Sequence, residues 1–192
     1  MIQLVFATNN AHKLEEVRAV VGDKFHIRTL AEIGCTDDIP ETGDTFEANA
    51  SQKSDYLFTR YGCDCFADDS GLEVVALGNE PGVYSARYSG TRDMEKNIAL
   101  LLKRLGDRPD RTARFRTVIS LRIGNEEHFF EGVVEGKIGY KCEGDGGFGY
   151  DPLFTPVGYQ KTFAQMKSIE KNAISHRALA VAKLADFLKA NY

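Results

Sequence analysis

The pattern of apolar and polar positions at the start of the chain predicts a strand, a helix and a second strand. The dense apolar run IQLVFAT (2–8) predicts a buried strand. The segment 9–22 carries apolar residues at helical spacing, and Gly22 is a suitable helix stop. FHIRTL (25–30) predicts the second strand. Such a unit usually means two parallel strands joined by a right-handed crossover.

The next part of the chain predicts one helix and two strands. The helix has Asp44 or Thr45 as its N-cap and ends at Gly62. CDCFADD (63–69) and GLEVVAL (71–77) predict two strands, which a Ser-Gly turn separates.

The second half of the chain predicts, in order, a helix, a long antiparallel hairpin that turns at GNEE, a glycine-rich loop and a last helix: 93–106, 111–139, 143–152 and 172–190. In the first arm of the hairpin, an apolar face alternates with Arg114, Arg116 and Arg122. No repeat, low-complexity tract or linker interrupts the pattern. The predicted fold class is therefore α/β, with residues 1–192 forming a single domain around a mixed sheet.

Composition narrows the class of function. Hydrophobic residues make up 43% and charged residues 27%, as in ordinary soluble globular proteins. The net charge of -4 argues against a protein that mainly grips nucleic acid, although a local basic cluster could still hold phosphate. No apolar run is long enough to span a bilayer, and MIQLVFATNN lacks the basic region of a signal peptide. We therefore expect neither a nucleic-acid nor a membrane partner.

Cysteine usage favours a reducing compartment, with a cytoplasmic location as the expectation. The four cysteines are Cys35, Cys63, Cys65 and Cys142. No two of them have CxxC spacing, and none has a histidine at the spacing of zinc ligands. Cys63 and Cys65 alternate along a predicted strand, so we interpret them as small buried hydrophobic residues.

Two segments near helix starts are candidate anion sites. In ATNNAHK (7–13), a helix N-terminus with Lys13 in its first turn suits phosphate, although capping by Asn10 is the ordinary alternative. Lys53 lies on the apolar face of its predicted helix, where it must either extend to the edge or neutralise an anion. We favour the anion.

Two further segments are candidates for binding a flat polar ligand. Arg177 begins the core-facing stripe of the last helix, beside His176, and such a pair can hydrogen-bond a planar ligand edge. The loop EGDGGFGYDP (143–152) allows close backbone approach, and Phe148 could stack on a base. A plain turn-rich connection is the alternative for this loop.

Asp68 and Asp69 end a strand that reads as buried. Two nearby carboxylates repel, and burial raises the cost of ionising both, so a divalent cation is expected to offset their charge. Oxygen ligands favour Mg²⁺, or Mn²⁺, with Glu41 as a further ligand. Glu47 is a weaker candidate, because it lies three residues after Asp44 and suits helix capping. Turn capping is the alternative for the aspartate pair.

Taken together, these residues resemble the inosine triphosphate pyrophosphatase family, which hydrolyses non-canonical purine nucleoside triphosphates. The matching segments occur in the family's order along nearly the whole chain: ATNNAHK (7–13), ETGDTFEANASQK (41–53), ADDSGL (67–72), PGVYSARYSG (81–90), GGFGYDPLF (146–154), KTFAQM (161–166) and EKNAISHRA (170–178). The resemblance implies an elongated α/β fold with two lobes, a nucleotide cleft between them, and a homodimer.

The resemblance also implies residue roles. Glu41 and Asp69 would bind Mg²⁺, with Asp68 as a neighbour or further ligand, and Asp69 would also accept the proton of the attacking water. The implied contacts to the triphosphate come from Thr8, Asn9, Asn10, Ala11, His12, Lys13 and Lys53. The implied contacts to the nucleoside come from Ser70, Phe148, Gly149, Tyr150, Asp151, Lys171, His176 and Arg177.

The hypothesis from sequence is therefore a Mg²⁺-dependent hydrolase that converts ITP, dITP and XTP into the nucleoside monophosphate and pyrophosphate. Such an enzyme would cleanse the nucleotide pool and prevent misincorporation into DNA and RNA. Donors at Lys171, His176 and Arg177 would read the 6-oxo group of the base, which a 6-amino group would leave unpaired. Two alternatives remain: a pyrophosphatase for modified pyrimidine triphosphates, and a nucleotide sensor without catalysis.

Overall fold

The structure is a computed structural model that describes residues 2–21 and 23–192, without the side chains of Ala11, His12, Glu16 and Ala19. The predicted helix stop at Gly22 lies outside the described residues. The strands are β1 (Ile2–Phe6), β2 (Phe25–Arg28), β3 (Cys65–Val74), β4 (Glu80–Pro81), β5 (Thr112–Ile123), β6 (Glu126–Ile138) and β7 (Phe154–Pro156). The helices are α1 (Ala11–Val21), α2 (Phe46–Tyr61), α3 (Met94–Leu105), α4 (Ser168–Ile174) and α5 (His176–Asn191).

The strands form one mixed sheet in the order β2-β1-β3-β5-β6-β7, with β4 paired to β3. β1 pairs in parallel with β2 and with β3, which confirms the parallel opening unit. β4 and β7 pair antiparallel with β3 and β6. Two residues connect β5 to its neighbour β6, and so short a connection requires an antiparallel hairpin. The predicted α/β class with a mixed sheet and flanking helices is confirmed.

The chain divides into two compact units, and the division falls within β3, β5 and β6. Unit 1 contains residues up to Asp69, Thr117–Gly132 and Ala178–Tyr192. Its larger core packs α1 and α5 onto β1 and β2, with Phe6 stacked on Phe66 at 4.5 Å between ring centroids. A second core of unit 1 lies around Leu57 and includes the buried Cys35 and Cys65.

Unit 2 contains Ser70–Arg116 and Val133–Arg177. Its core joins the apolar stripe of α3, represented by Ile98, Leu101 and Leu105, to aromatic residues from β5 and β7. Phe115 and Phe154 meet edge to face, with ring centroids 4.7 Å apart. The helix begins at an Asp93 cap, whose carboxylate accepts the Lys96 N–H at 3.1 Å.

The prediction of two strands separated at Ser70-Gly71 is wrong, because β3 runs without interruption from Cys65 to Val74. Leu72 and Val74 are fully buried in the core of unit 2, and that burial keeps the chain extended where a Ser-Gly pair alone would favour a turn. The chain turns only at Val75–Leu77, in a short 3₁₀ segment.

Other boundaries also differ from the predictions. β1 ends at Phe6, and the last helix is two helices, because Ser175 between α4 and α5 is extended. Cys63 precedes β3 and is only partly buried, whereas Cys65 is buried as predicted. The segment Gly82–Arg87, between β4 and α3, forms a 3₁₀ helix. Among the described helices, none combines the length and apolar character needed to cross a membrane.

Candidate active site

Lys53 is the centre of the polar cluster in unit 1. Its helix α2 is capped by Thr45 and places Phe46, Ala50 and Leu57 on the buried face, as the sequence predicts. Lys53 shares that face and is only 8% exposed. Its ammonium forms an ion pair with Glu41 and donates to the carbonyl oxygen of Asp68 at 2.6 Å. The lysine therefore neutralises acidic oxygen atoms inside the unit, and does not extend to the surface.

Asp68 forms a second lysine–carboxylate pair. Nζ of Lys13 lies 2.6 Å from Oδ2 of Asp68, and the Asp68 side chain is 3% exposed. Lys13 stands in the first turn of α1, where the Asn10 carboxamide oxygen accepts the Lys13 N–H at 3.3 Å. The capping alternative is therefore correct for Asn10, and Lys13 in addition pairs with Asp68, which lies within β3 and not at its end as predicted.

Asp69 has the environment of a general base. Burial raises the pKa of Asp69 to about 6, and the charges of Glu41 and Asp68 act in the same direction. The Lys53 charge and a 2.9 Å hydrogen bond from the Asn49 carboxamide to Oδ2 of Asp69 oppose the rise in pKa. A carboxylate with a pKa near neutrality can accept a proton from water that it orients.

Asn49 is a site residue that the sequence analysis missed. It is buried on the same face of α2 as Lys53, accepts the Gly43 N–H at 2.7 Å and donates to Asp69. The signal was present, because Asn49 falls on the apolar arc four residues before Lys53. A polar residue on that arc needs a partner for the same reason as the lysine does.

The three acidic residues proposed as metal ligands suit a hard cation in their chemistry. Among the described residues, no three His, Cys, Asp or Glu side chains form a ready-made metal cluster. Instead, lysine ammonium groups lie against Glu41 and Asp68, so each carboxylate already holds a positive charge. These carboxylate oxygens, which already pair with ammonium groups, are the type of ligand that Mg²⁺ and Mn²⁺ prefer.

The remaining predicted phosphate residues of unit 1 lie in the β1–α1 connection. Thr8 is partly exposed, Asn9 and Asn10 are exposed, and the Thr8 hydroxyl accepts the Asn10 N–H at 3.1 Å. Ala11 and His12 open α1, and their predicted side-chain roles lie outside the described side chains.

A second polar cluster lies in unit 2 around the glycine-rich loop. Oδ2 of Asp151 accepts the Phe148 N–H at 2.9 Å and the Lys171 ammonium at 2.5 Å. Nζ of Lys171 is 4.8 Å from the centroid of the Phe148 ring, and Cζ of Arg177 is 5.8 Å from it. Phe148 is 56% exposed, so a flat ligand can reach it. The predicted residues of this loop are thus brought together with Lys171 and Arg177.

Three other predicted nucleoside residues have definite places in unit 2. The buried His176 ring stacks on Phe115 at 4.9 Å between centroids. Tyr150 is buried, and its hydroxyl donates to the Ser85 carbonyl at 2.8 Å, so this hydroxyl connects the glycine-rich loop to another segment of unit 2. Ser70, in the middle of β3, is partly exposed.

The chain is thus a mixed α/β protein with a lysine–carboxylate cluster in unit 1 and an exposed aromatic ring in unit 2. Comparison with known proteins identifies the family. The model of the Ham1 family matches residues 4–187. The chain therefore belongs to the Ham1 family.

Individual relatives agree with this assignment. The chain is 54% identical over 190 residues to the dITP/XTP pyrophosphatase of Porphyromonas gingivalis, and the match covers 98% of each chain. It is 43% identical over 195 residues to the dITP/XTP pyrophosphatase of Bacillus subtilis, which covers 99% of this chain and 98% of that one. The solved Ham1 protein of Staphylococcus aureus has a TM-score of 0.94 at 41% identity and covers 99% of this chain and 100% of its own. The predicted family membership is confirmed.

Proposed function

We propose that this protein hydrolyses non-canonical purine nucleoside triphosphates, namely ITP, dITP and XTP, to the nucleoside monophosphate and pyrophosphate. The relatives bear the name dITP/XTP pyrophosphatase, and the predicted hydrolase class agrees with them. The single observation that carries the proposal is the polar cluster of unit 1, where Lys13 and Lys53 pair with carboxylates beside Asp69. Pool cleansing is the cellular role that this activity would serve.

In the proposed mechanism, Asp69 orients a water molecule and accepts its proton during attack on the α-phosphorus. Its raised pKa makes it a stronger base than an ordinary aspartate, and Asn49 fixes one of its carboxylate oxygens. Lys13 and Lys53 stabilise the charge that develops on the pyrophosphate leaving group. Thr8, Asn9 and Asn10, with the first turn of α1, add polar donors to the triphosphate.

Glu41, Asp69 and Asp68 are the residues that would hold Mg²⁺, or Mn²⁺ in its place. When bound, the ion would polarise phosphate oxygens and offset the charge of the leaving group. The lysines that now neutralise Glu41 and Asp68 would then be free to bind phosphate. The chain's own contribution is two lysine–carboxylate pairs, whose members can each bind a part of the substrate complex when substrate binds.

The cluster of unit 2 is proposed to bind the base. Phe148 offers a stacking surface, and Lys171, His176 and Arg177 carry donors for a 6-oxo group. The Lys171 ammonium has three donors, and one of them is used by Asp151. A base with a 6-amino group would present a donor to these donors, which selects against adenine nucleotides.

A panel of nucleoside triphosphates with Mg²⁺ tests the proposal. ITP, dITP and XTP should yield the monophosphate and pyrophosphate, whereas ATP should react about a hundredfold more slowly or worse. 5-Methyluridine triphosphate distinguishes the pyrimidine alternative. Binding of ITP without release of pyrophosphate would establish the sensor alternative and overturn the proposal.

We further propose a homodimer, as the resemblance implies, and a cytoplasmic location, which the four free cysteines favour. We also propose that residues 1–192 act as one domain, because β3, β5 and β6 each contribute residues to both units. Light scattering of the purified protein tests the dimer, since a monomer mass at micromolar concentration would contradict it.

A further inference from the structure

The Phe148 ring, which is proposed to stack on the base, belongs to a glycine-rich stretch of backbone that does not by itself fix the orientation of the ring. Phe148 lies between Gly147 and Gly149, whose φ angles are +72° and +60°. Glycine carries no side chain to pack and loses the most conformational entropy when it is fixed. A ring that is 56% exposed and flanked by glycines therefore depends on other contacts for its orientation.

One such contact comes from outside the loop. The Gly149 N–H donates to the thioether sulfur of Met94 at 3.0 Å. Met94 is the first residue of α3, directly after the Asp93 cap, and its side chain is 43% exposed. Met94 is not part of the buried core cluster of unit 2, and the polar contact of its sulfur atom is this hydrogen bond.

A second connection ties the same stretch of loop to α3 through a buried amide. The Tyr150 hydroxyl donates to the Ser85 carbonyl at 2.8 Å. Asn97, one turn after Met94, accepts the Ser89 N–H at 2.7 Å and donates to the Ala86 carbonyl at 3.2 Å. The residues on the C-terminal side of Phe148 are therefore fastened to α3 twice, once directly and once through the segment 85–89.

Packing does not replace these hydrogen bonds. Met94, Phe148, Gly149 and Tyr150 line a pocket with a volume of about 220 Å³, together with residues of the segment 85–97. Open space beside the ring means that van der Waals contact does not clamp it on that side. On that side the orientation of the ring depends on the backbone, where Oδ2 of Asp151 accepts the Phe148 N–H and the Met94 sulfur accepts the Gly149 N–H.

We propose that Met94 is a positioning residue for substrate binding, which fixes Gly149 and thereby presents the Phe148 ring to the base. This inference rests on the proposed function of unit 2 as the base site. Met94 touches neither substrate nor reacting atoms in this scheme. Its loss should weaken nucleotide binding and leave the chemical step intact.

Two substitutions separate a hydrogen-bonding role from a packing role. Met94→Leu keeps an apolar side chain of similar size without the acceptor, and it should raise KM for ITP about three- to tenfold with little change in kcat. Met94→Gln places a carboxamide oxygen at a similar reach, and it should keep KM within about twofold of the parent. A packing role predicts the opposite order. Leu102→Ala weakens α3 from the core side and should lower thermal stability without changing KM.

A spectroscopic reporter tests the anchor without any nucleotide. The chain contains no tryptophan, so Phe148→Trp creates a single fluorophore at the platform. In that background, Met94→Leu should lower the fluorescence anisotropy and increase acrylamide quenching, whereas Met94→Gln should change neither. Equal anisotropy in all three proteins would overturn the inference. If Met94→Leu lowers the anisotropy but added ITP changes the fluorescence of none of the three proteins, the role of Met94 stands and the proposed base site is wrong.

Discussion

The ammonium group of Lys53 lies 2.6 Å from the carbonyl oxygen of Asp68 and also pairs with Glu41. A buried ammonium in this position supplies positive charge beside the acidic residues. The cluster is therefore neutralised from within, and it does not carry the cost of several unpaired buried acids. In the proposed mechanism, binding of a divalent ion or of a triphosphate would require the lysine to change partners.

Lys53→Met should therefore strengthen the binding of Mg²⁺ in the absence of nucleotide. Without the competing ammonium, we expect the dissociation constant to fall about three- to tenfold, measured by calorimetric titration. Turnover should fall at the same time, because Lys53 is also proposed to stabilise the leaving group. Lys96→Met, at an exposed pair with Asp93, is the matched control and should leave Mg²⁺ binding unchanged. Weaker Mg²⁺ binding by Lys53→Met would contradict the exchange of partners.

Asn49→Ala should shift the pH dependence of catalysis. The Asn49 hydrogen bond lowers the pKa of Asp69, so its removal lets that pKa rise further. The acidic limb of the plot of kcat/KM against pH should then move to higher pH, because a more alkaline solution is needed to ionise Asp69. Gln52→Ala is the control, since Gln52 bonds to Thr42 and should leave the limb in place. A limb that moves to lower pH in Asn49→Ala would refute the role of the amide.

Asp69→Asn should remove activity and yet stabilise the metal-free protein above about pH 6. The folded-state pKa of Asp69 is about 6, against an ordinary value of 3.8, so the native state holds the proton more tightly than the unfolded chain. The associated stability is present below about pH 4 and is lost as the pH rises through about 6.

Asparagine cannot ionise, so Asp69→Asn should exceed the parent by about 1–3 kcal/mol of unfolding free energy near pH 8, and by little near pH 4. Urea unfolding in a chelating buffer at both pH values measures this difference. A difference independent of pH would show that burial of the Asp69 charge is not its cause.

Gly147→Ala should disturb the backbone that carries Phe148 more than the positive φ angle of Gly147 alone explains. Gly147 has φ +72°, and an added Cβ would lie 2.1 Å from Oδ2 of Asp151, the atom that holds Phe148 and Lys171. Gly158→Ala is the control, because its φ is +84° and a Cβ would meet nothing within 4 Å. We expect Gly147→Ala to be less stable than the control by about 1–3 kcal/mol and to raise KM for ITP. Equal stability of the two variants would contradict the close contact.

Local pattern predicted the parts of the site that single elements carry. A lysine among Phe46, Ala50 and Leu57 could be recognised from helical spacing alone, and its burial followed. The same rule was available for Asn49, which was missed because an amide on a helix face is less conspicuous than a charge. The turn predicted at Ser70-Gly71 failed because burial of Leu72 and Val74 outweighs the local preference.

Contacts between distant segments were beyond the pattern. Met94 and Gly149 are 55 residues apart, and nothing in either segment indicates that one accepts a hydrogen bond from the other. Strand order was likewise unpredictable, since β5 lies beside β3 only through the folding of the intervening α3 and loops. Residue types thus indicated which chemistry is available, whereas the tertiary structure determines which side chains pair with the acidic groups.

The most direct test of the central claim is the position of the oxygen that water contributes. ITP is hydrolysed with Mg²⁺ in isotopically labelled water, and the products are separated and weighed by mass spectrometry. Attack on the α-phosphorus predicts the label in the phosphate of inosine monophosphate and none in pyrophosphate. Label in the pyrophosphate, or products consisting of inosine diphosphate and orthophosphate, would contradict the account.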